Sequence, residues 1–243
     1  VDHVFERQLD TWLTEVAPAS RVACFDADGT LWSADLGEAM FRAAAQHGLL
    51  SAPGGVASPT TVNGWWQLYS ARVAESAVEA YGWCCRAMAG NAVSTLEALA
   101  VEVTADFYPT QRRPEVEGWV HRMHAAGWQV WVVSASNRWA VIEGAKRLGI
   151  PAQRVLGVEL SLADSVATAE LAQPVPYAQE KVAALGRRGI AEYALAFGNT
   201  LGDANLLEHA RLASVAVTPD AALYREAVRR GWWVTSPDAT GCK

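Results

Sequence analysis

The residues that could do chemistry in this chain lie in four short stretches. The first is Asp26-Ala27-Asp28-Gly29-Thr30, which directly follows the apolar run Arg21–Phe25. Two acids two residues apart, just past a buried strand, set a carboxylate on each side of the strand end. Gly29 lets the chain turn sharply there. Carboxylates at that edge stand where open α/β sheets bind ligands, although an acidic turn would read the same way. The second stretch is VVSASN, in which the Ser134 hydroxyl can donate to an anionic oxygen, or Ser134 and Ser136 can simply cap the next helix. The third is Lys181 in QEKVAAL, which taken alone is a solvated helix lysine. The fourth is Gly198-Asn199-Thr200-Leu201-Gly202-Asp203, where Asp203 could serve only as a helix first-turn acid. Together, however, these stretches would converge on one edge of one sheet, where a divalent cation and a phosphate could sit. Oxygen donors without a cysteine or histidine cluster favour Mg²⁺ over zinc.

The elements that would bring them together are legible as buried strands and punctuated helices. Arg21–Phe25, Trp128–Val133, Arg154–Val158, Tyr193–Phe197 and Leu212–Val217 are nearly continuous apolar runs, as in a parallel sheet covered on both faces. Trp232–Thr235 resembles a final edge strand. Between them, Pro114 opens a helix that runs to Gly127, and Asn137 caps one that stops at Gly149. Tyr177 to Arg188 is closed by Gly189, and Pro219 opens a last helix ending near Gly231. This alternation predicts an α/β fold with a doubly wound parallel sheet. Residues 35–114 break the pattern: Leu36–His47, Trp65–Met88 and Val93–Phe107 are helix-like, with a Pro/Gly/Ser/Thr-rich loop between the first two. The expectation is a catalytic core of residues 1–34 and 115–243, with an all-helical cap at 35–114 inserted after the first strand.

DADGT, the strand-terminal Ser134, Lys181 and the GNxxxD box resemble, in order and context, the four motifs of the haloacid dehalogenase superfamily. The helical insert resembles the C1 cap of its phosphoserine-phosphatase-like branch. The resemblance implies a Mg²⁺-dependent phosphomonoester phosphatase. In it, Asp26 is the nucleophile that forms an aspartyl phosphate, and Asp28 protonates the leaving alcohol and then activates water. Thr30 would hold the turn and bond near Asp28, while Ser134 and Lys181 would hold the phosphoryl oxygens. Mg²⁺ would be bound by the Asp26 carboxylate, the Asp28 backbone carbonyl and Asn199, with Asp203 reaching a metal-bound water. Asn199 stands where the family usually has an acid, so weaker Mg²⁺ binding is expected. The register with Asp203 as direct ligand stays open. A phosphotransferase or phosphomutase of the same fold, and a catalytically inactive binding module, are the alternatives.

The expected substrate is a small phosphomonoester selected by the insert. Glu38 follows the catalytic loop closely, and Trp65, Trp66, Tyr69, Tyr81 and Trp83 crowd the insert. Aromatic rings plus a carboxylate suit a cationic group through cation–π attraction. LWSADLGEA is also similar to the corresponding region of phosphocholine phosphatases. Together these point to an amine-bearing ester such as phosphocholine, phosphoethanolamine or phosphoserine. Packing of the same rings between helices is the plainer reading, and Trp128, Trp131 and Trp139 are expected to be core.

Composition excludes other classes. With 20 Lys+Arg against 26 Asp+Glu, a formal charge of −6 and no basic run beyond two residues, neither nucleic acid nor an anionic membrane is an expected partner. No apolar run approaches the ~18 residues of a membrane-crossing helix. Cys84 and Cys85 are adjacent, Cys24 lies in a strand and Cys242 near the end, with no CxxC. That usage favours a reducing compartment and hence the cytoplasm, with a leader removed ahead of Val1 left open. His121 and His124 share a helical face but lack a third ligand. The oligomeric state is not legible.

Overall fold

The computed structural model describes residues 3–55 and 57–236; Cys242 lies outside them. Six strands form one parallel sheet: β1 (Val22–Phe25), β2 (Gln129–Asn137), β3 (Val155–Val158), β6 (Tyr193–Gly198), β7 (Ala210–Val217) and β8 (Trp233–Thr235). Their spatial order is β3-β2-β1-β6-β7-β8. β1 lies between β2 and β6, where the strand order reverses, and this is the crevice in which open α/β sheets take ligands. Register carries the motifs to a common edge. Phe25 is level with Val132 of β2 and Phe197 of β6, so Asp26, Ser134 and Asn199 emerge side by side.

The alternating residues of each strand build two apolar layers. Ala23, Phe25, Val130 and Val132 face α1 (His3–Glu15), α6 (Pro114–Ala125) and α7 (Arg138–Lys146). Val22, Cys24, Trp131 and Val133 face α8 (Gln179–Arg187), α9 (Ala204–Glu208) and α10 (Ala221–Arg230). Burial on both faces explains why these strands read as unbroken apolar runs. Asn137 caps α7 through Ala140 N–H at 3.0 Å. The last helix is capped by Asp220, through Leu223 N–H at 2.7 Å, and starts just after Pro219 rather than at it. Trp128 and Trp131 are buried as expected, and Trp139 is half-buried against the core.

Between β1 and β2 no strand occurs among the described residues. The segment holds α2 (Leu36–Gln46), α3 (Val62–Glu75), α4 (Ala77–Arg86) and α5 (Val93–Gln111). The expected single helix Trp65–Met88 is broken at Ser76, whose backbone is extended (φ −160°, ψ 109°). Two further strands were not anticipated. β4 (Leu160–Ala163) and β5 (Val166–Leu171) form an antiparallel hairpin whose turn, Asp164-Ser165, has positive φ at both residues. Its strands are short and interrupt their apolar residues with Ser161, Thr168 and Glu170, so they lack the unbroken apolar run that marks a central strand. The hairpin reaches the helical insert through three backbone bonds: Gly90 N–H to Ala167 O, Ala167 N–H to Asn91 O and Val93 N–H to Ser165 O, at 2.8–2.9 Å. Among the described residues, no helix is long and apolar enough to cross a membrane.

Candidate active site

The two acids after β1 turn to opposite partners. Asp26 accepts from Lys181 Nζ at 2.5 Å through Oδ1 and from the Thr30 hydroxyl at 3.1 Å through Oδ2. Lys181 also donates to Asp203 Oδ1 at 2.6 Å, so one buried ammonium bridges two buried carboxylates. Burial, and then the charge of Asp203, push the Asp26 carboxyl up to about 7, with Lys181 holding it from going higher. Burial alone would lower the Lys181 ammonium, but Asp203 and Asp26 outweigh it and raise it. Lys181 is therefore a fixed positive charge and not the solvated lysine its helix pattern suggested.

Asp28 faces the other way. Its Oδ1 accepts from the Trp32 indole N–H at 2.7 Å and from Leu36 N–H, at the start of α2, at 2.8 Å. Its Oδ2 accepts from the Ser136 hydroxyl at 2.6 Å and, at longer range, from Ser134 Oγ at 3.4 Å. Thr30 was expected near Asp28. Its hydroxyl instead lies between Asp26 and the Asn199 amide oxygen, 3.4 Å away, because the turn at Gly29 carries Thr30 back over β1. Gly29 is at φ +79°, and a Cβ there would come within 1.9 Å of Asn199 Nδ2, so both conformation and space demand glycine.

Asp203 Oδ2 accepts from the backbone N–H groups of Asn199 and Thr200, both at 3.0 Å, and from Thr200 Oγ1 at 3.3 Å. Both of its oxygens are thus engaged within the chain, which makes it the anchor of Lys181 and of the turn after β6. No group of three or more His, Cys, Asp or Glu side chains is arranged as a metal centre among the described residues. The oxygens near Asp26 are instead a mixed set, carboxylate and carboxamide, gathered at one threonine hydroxyl. Such an all-oxygen donor set fits a hard divalent cation. His124 bonds to Leu148 O, far from this edge.

Asp26, Asp28, Ser134, Lys181, Asn199 and Asp203 line one cavity of about 110 Å³, with Asp35, Ser136, Tyr81, Tyr177 and Thr200 completing its wall. A narrow extension beside it is lined by Glu38, Tyr69 and Cys84 and shares Asp35, Tyr81 and Ser136. Asp35 caps α2 by accepting from Glu38 N–H at 2.7 Å. Burial, then the charges of Asp28 and Glu38, raise the Asp35 carboxyl well above its ordinary value. Glu38 is also raised, chiefly by burial, with the Tyr69 hydroxyl and Arg42 offsetting part of the shift. Of the residues expected to contact substrate, Tyr81 lines the cavity, Glu38 and Tyr69 line only the adjoining recess of about 10 Å³, and Trp65 and Trp66 line neither. Trp65 is buried edge-on to Phe41 and against Trp83, at centroid distances of 6.3 and 6.1 Å. The face of Trp66 carries the chain's own Arg42 guanidinium at 3.4 Å. Trp32, Tyr177 and Thr200 were not singled out in the sequence. The only trace of Trp32 is its i, i+4 spacing from Asp28.

A family model for haloacid dehalogenase-like hydrolases matches residues 23–208, and the chain belongs to this family. Among solved structures, it is similar to a protein with unknown function from Bordetella pertussis Tohama I at 20% identity and a TM-score of 0.76, covering 90% of this chain and 99% of that one. It is also similar to apo phosphoserine phosphatase, at 15% identity and TM-score 0.56, covering 85% of this chain and 90% of that one. Cytosolic 5′-nucleotidase IIIB bound to cytidine aligns at 13% identity and TM-score 0.62, covering 96% and 86%. Identities this low speak for a shared fold alone. No curated protein matches the chain.

Proposed function

We propose that the chain is a phosphomonoester phosphatase working through an aspartyl phosphate on Asp26. One observation carries the reading: two carboxylates two residues apart point to different partners around a single small cavity that also holds a buried lysine and the buried Ser134 of β2. In the first step Asp26 attacks phosphorus, the bond from phosphorus to the ester oxygen breaks, and the proton on Asp28 passes to that oxygen. In the second, water attacks phosphorus, its proton returns to Asp28, and the bond to Asp26 breaks. Lys181 and Ser134 hold the phosphoryl oxygens as charge shifts between them. The Asp26 carboxylate, the Asp28 carbonyl and the Asn199 amide oxygen are the ligands proposed for Mg²⁺, with Asp203 fixing Lys181. Bound there, the ion would supply neutralisation of phosphoryl charge.

The helical insert, residues 35–114, then acts as the cap over a core of 1–34 and 115–243. The substrate proposed is a small amine-bearing ester. Support comes from Asp35 and Glu38, two carboxylates beside the cavity, with Tyr69 and Tyr81 next to them. Tryptophans 65 and 66 play no part in recognition. Cation recognition falls instead to carboxylates and tyrosines. The test is turnover of a panel of amine-bearing, sugar and aryl phosphates with and without millimolar Mg²⁺. Asp26→Asn, which keeps the shape of the side chain, should lose at least ~10³-fold in rate with an unchanged circular dichroism spectrum. Absence of turnover by the wild type on every ester would sink the phosphatase reading, and equal rates on amine-bearing and sugar esters would sink the substrate class.

A further inference from the structure

The two oxygens of Asp28 meet chemically different neighbours. Oδ1 accepts from an indole N–H and a backbone N–H, at 2.7 and 2.8 Å. Neither group can accept a hydrogen bond in return. Oδ2 meets only hydroxyls, Ser136 at 2.6 Å and Ser134 at 3.4 Å, and a hydroxyl can both donate and accept. A proton carried by Asp28 can therefore reside on Oδ2 alone. On Oδ1 it would confront two hydrogens with no acceptor. The Ser136 hydroxyl can reverse from donor to acceptor and follow the carboxyl through both states.

We propose that Trp32 and Ser136 are positioning residues that fix the orientation of Asp28, turning Oδ1 toward the indole and the start of α2 and Oδ2 toward Ser134 in the cavity. The inference rests on the phosphatase reading and deepens it. Trp32 is fully buried, which fixes the ring that holds Oδ1. Leu36 N–H comes from the first turn of α2, whose N-terminal amides favour a carboxylate. Ser136 is pressed against α2: a Cβ on Gly37 would come within 2.4 Å of Ser136 Oγ. The absence of a side chain at Gly37 is therefore what lets the serine stand beside Asp28.

The experiment compares kcat/KM for an aryl phosphate, p-nitrophenyl phosphate, with that for an alkyl one, phosphoethanolamine. This ratio reports steps up to departure of the alcohol. The aryl leaving group needs little protonation, and the alkyl one needs much. Ser136→Ala and Trp32→Phe should each reduce the alkyl value by at least ~10-fold more than the aryl value. Gly37→Ala, which displaces Ser136 without touching Asp28, should behave like Ser136→Ala. Equal losses on both esters, as general misfolding would produce, or no loss on either, would overturn the proposal. If the wild type turns over neither ester, the phosphatase reading fails by itself. The arrangement is then judged from the Trp32 indole N–H resonance, identified by its disappearance in Trp32→Phe. A resonance that stays put in Asp28→Ala, which removes the acceptor, would refute the bond to Oδ1.

Discussion

At the residue scale, the site is governed by one cation shared between two buried acids. Lys181, Asp26 and Asp203 are each almost fully shielded, and the pairings at 2.5 and 2.6 Å compensate charges that water cannot reach. Breaking such a set by removing one partner leaves uncompensated buried charge. Lys181→Ala should therefore lower the unfolding free energy by about 3–5 kcal/mol, as measured by urea denaturation. A loss under ~1 kcal/mol would mean that water already reaches the pair. Asp26 also makes stability depend on pH. Its folded value is raised from 3.8 to about 7, so the native state holds this proton more tightly than the unfolded chain does. The contribution is complete below about pH 4 and is lost as pH rises through about 7. In protein kept metal-free with chelator, the melting temperature of the wild type should carry a downward term across that window, and Asp26→Asn should remove it. Identical slopes in the two proteins would refute the assignment.

At the element scale, the backbone leading into α8 is strained where it delivers Lys181. Ala178 has φ 51° and ψ −125°, a region suited to glycine, and its N–H is held by Gly202 O at 3.1 Å. That bond joins the lysine helix to the turn that carries Asn199 and Asp203, so the two are placed relative to each other at a conformational cost. A side chain in this region costs about 1–2 kcal/mol, and glycine's extra freedom in the unfolded chain offsets part of the relief. Ala178→Gly should raise the unfolding free energy by about 1 kcal/mol in urea titrations. A decrease would show that the alanine methyl packs better than its backbone angle implies. On the far side of the site, Leu36 N–H at the start of α2 plays the comparable part for Asp28.

At the scale of the whole molecule, the cavity belongs to core and insert together. Asp35 and Tyr81 come from the insert, the remaining wall from the sheet edge and α8, and the hairpin β4–β5 binds the insert at residues 90–93. The cavity, about 110 Å³, is small and has Asp35 and Tyr81 of the insert set against the residues that would hold a phosphoryl group. Small esters should therefore be preferred. The kcat/KM for phosphoethanolamine is expected to exceed that for a nucleoside 5′-monophosphate by at least ~10-fold. A nucleotide hydrolysed equally well would mean that the insert leaves the cavity far more open. The termini of the fold also meet: Phe5 and Trp12 of α1 lie against Trp233 of β8 at 5.9 and 5.7 Å, and Phe5 against Trp119 at 5.0 Å, which accounts for several of the eleven tryptophans.

The parallel sheet, the helical insert and the residues gathered at its edge were determined by the sequence itself. Strands buried on both faces must be continuously apolar, and chemistry at their ends must interrupt that run with polar groups, as at Asp26, Ser134 and Asn199. The hairpin at 160–171 escaped because its strands are short and interrupt their apolar residues with Ser161, Thr168 and Glu170. Only the tertiary structure decided the partners: that Thr30 bonds to Asp26, that Trp32 and Ser136 bond to Asp28, and that Trp65 packs on Phe41 and Trp83 while Trp66 stacks on Arg42. The physical reason is that a side chain's direction is set by what packs against it, and those neighbours lie scores of residues away in the chain.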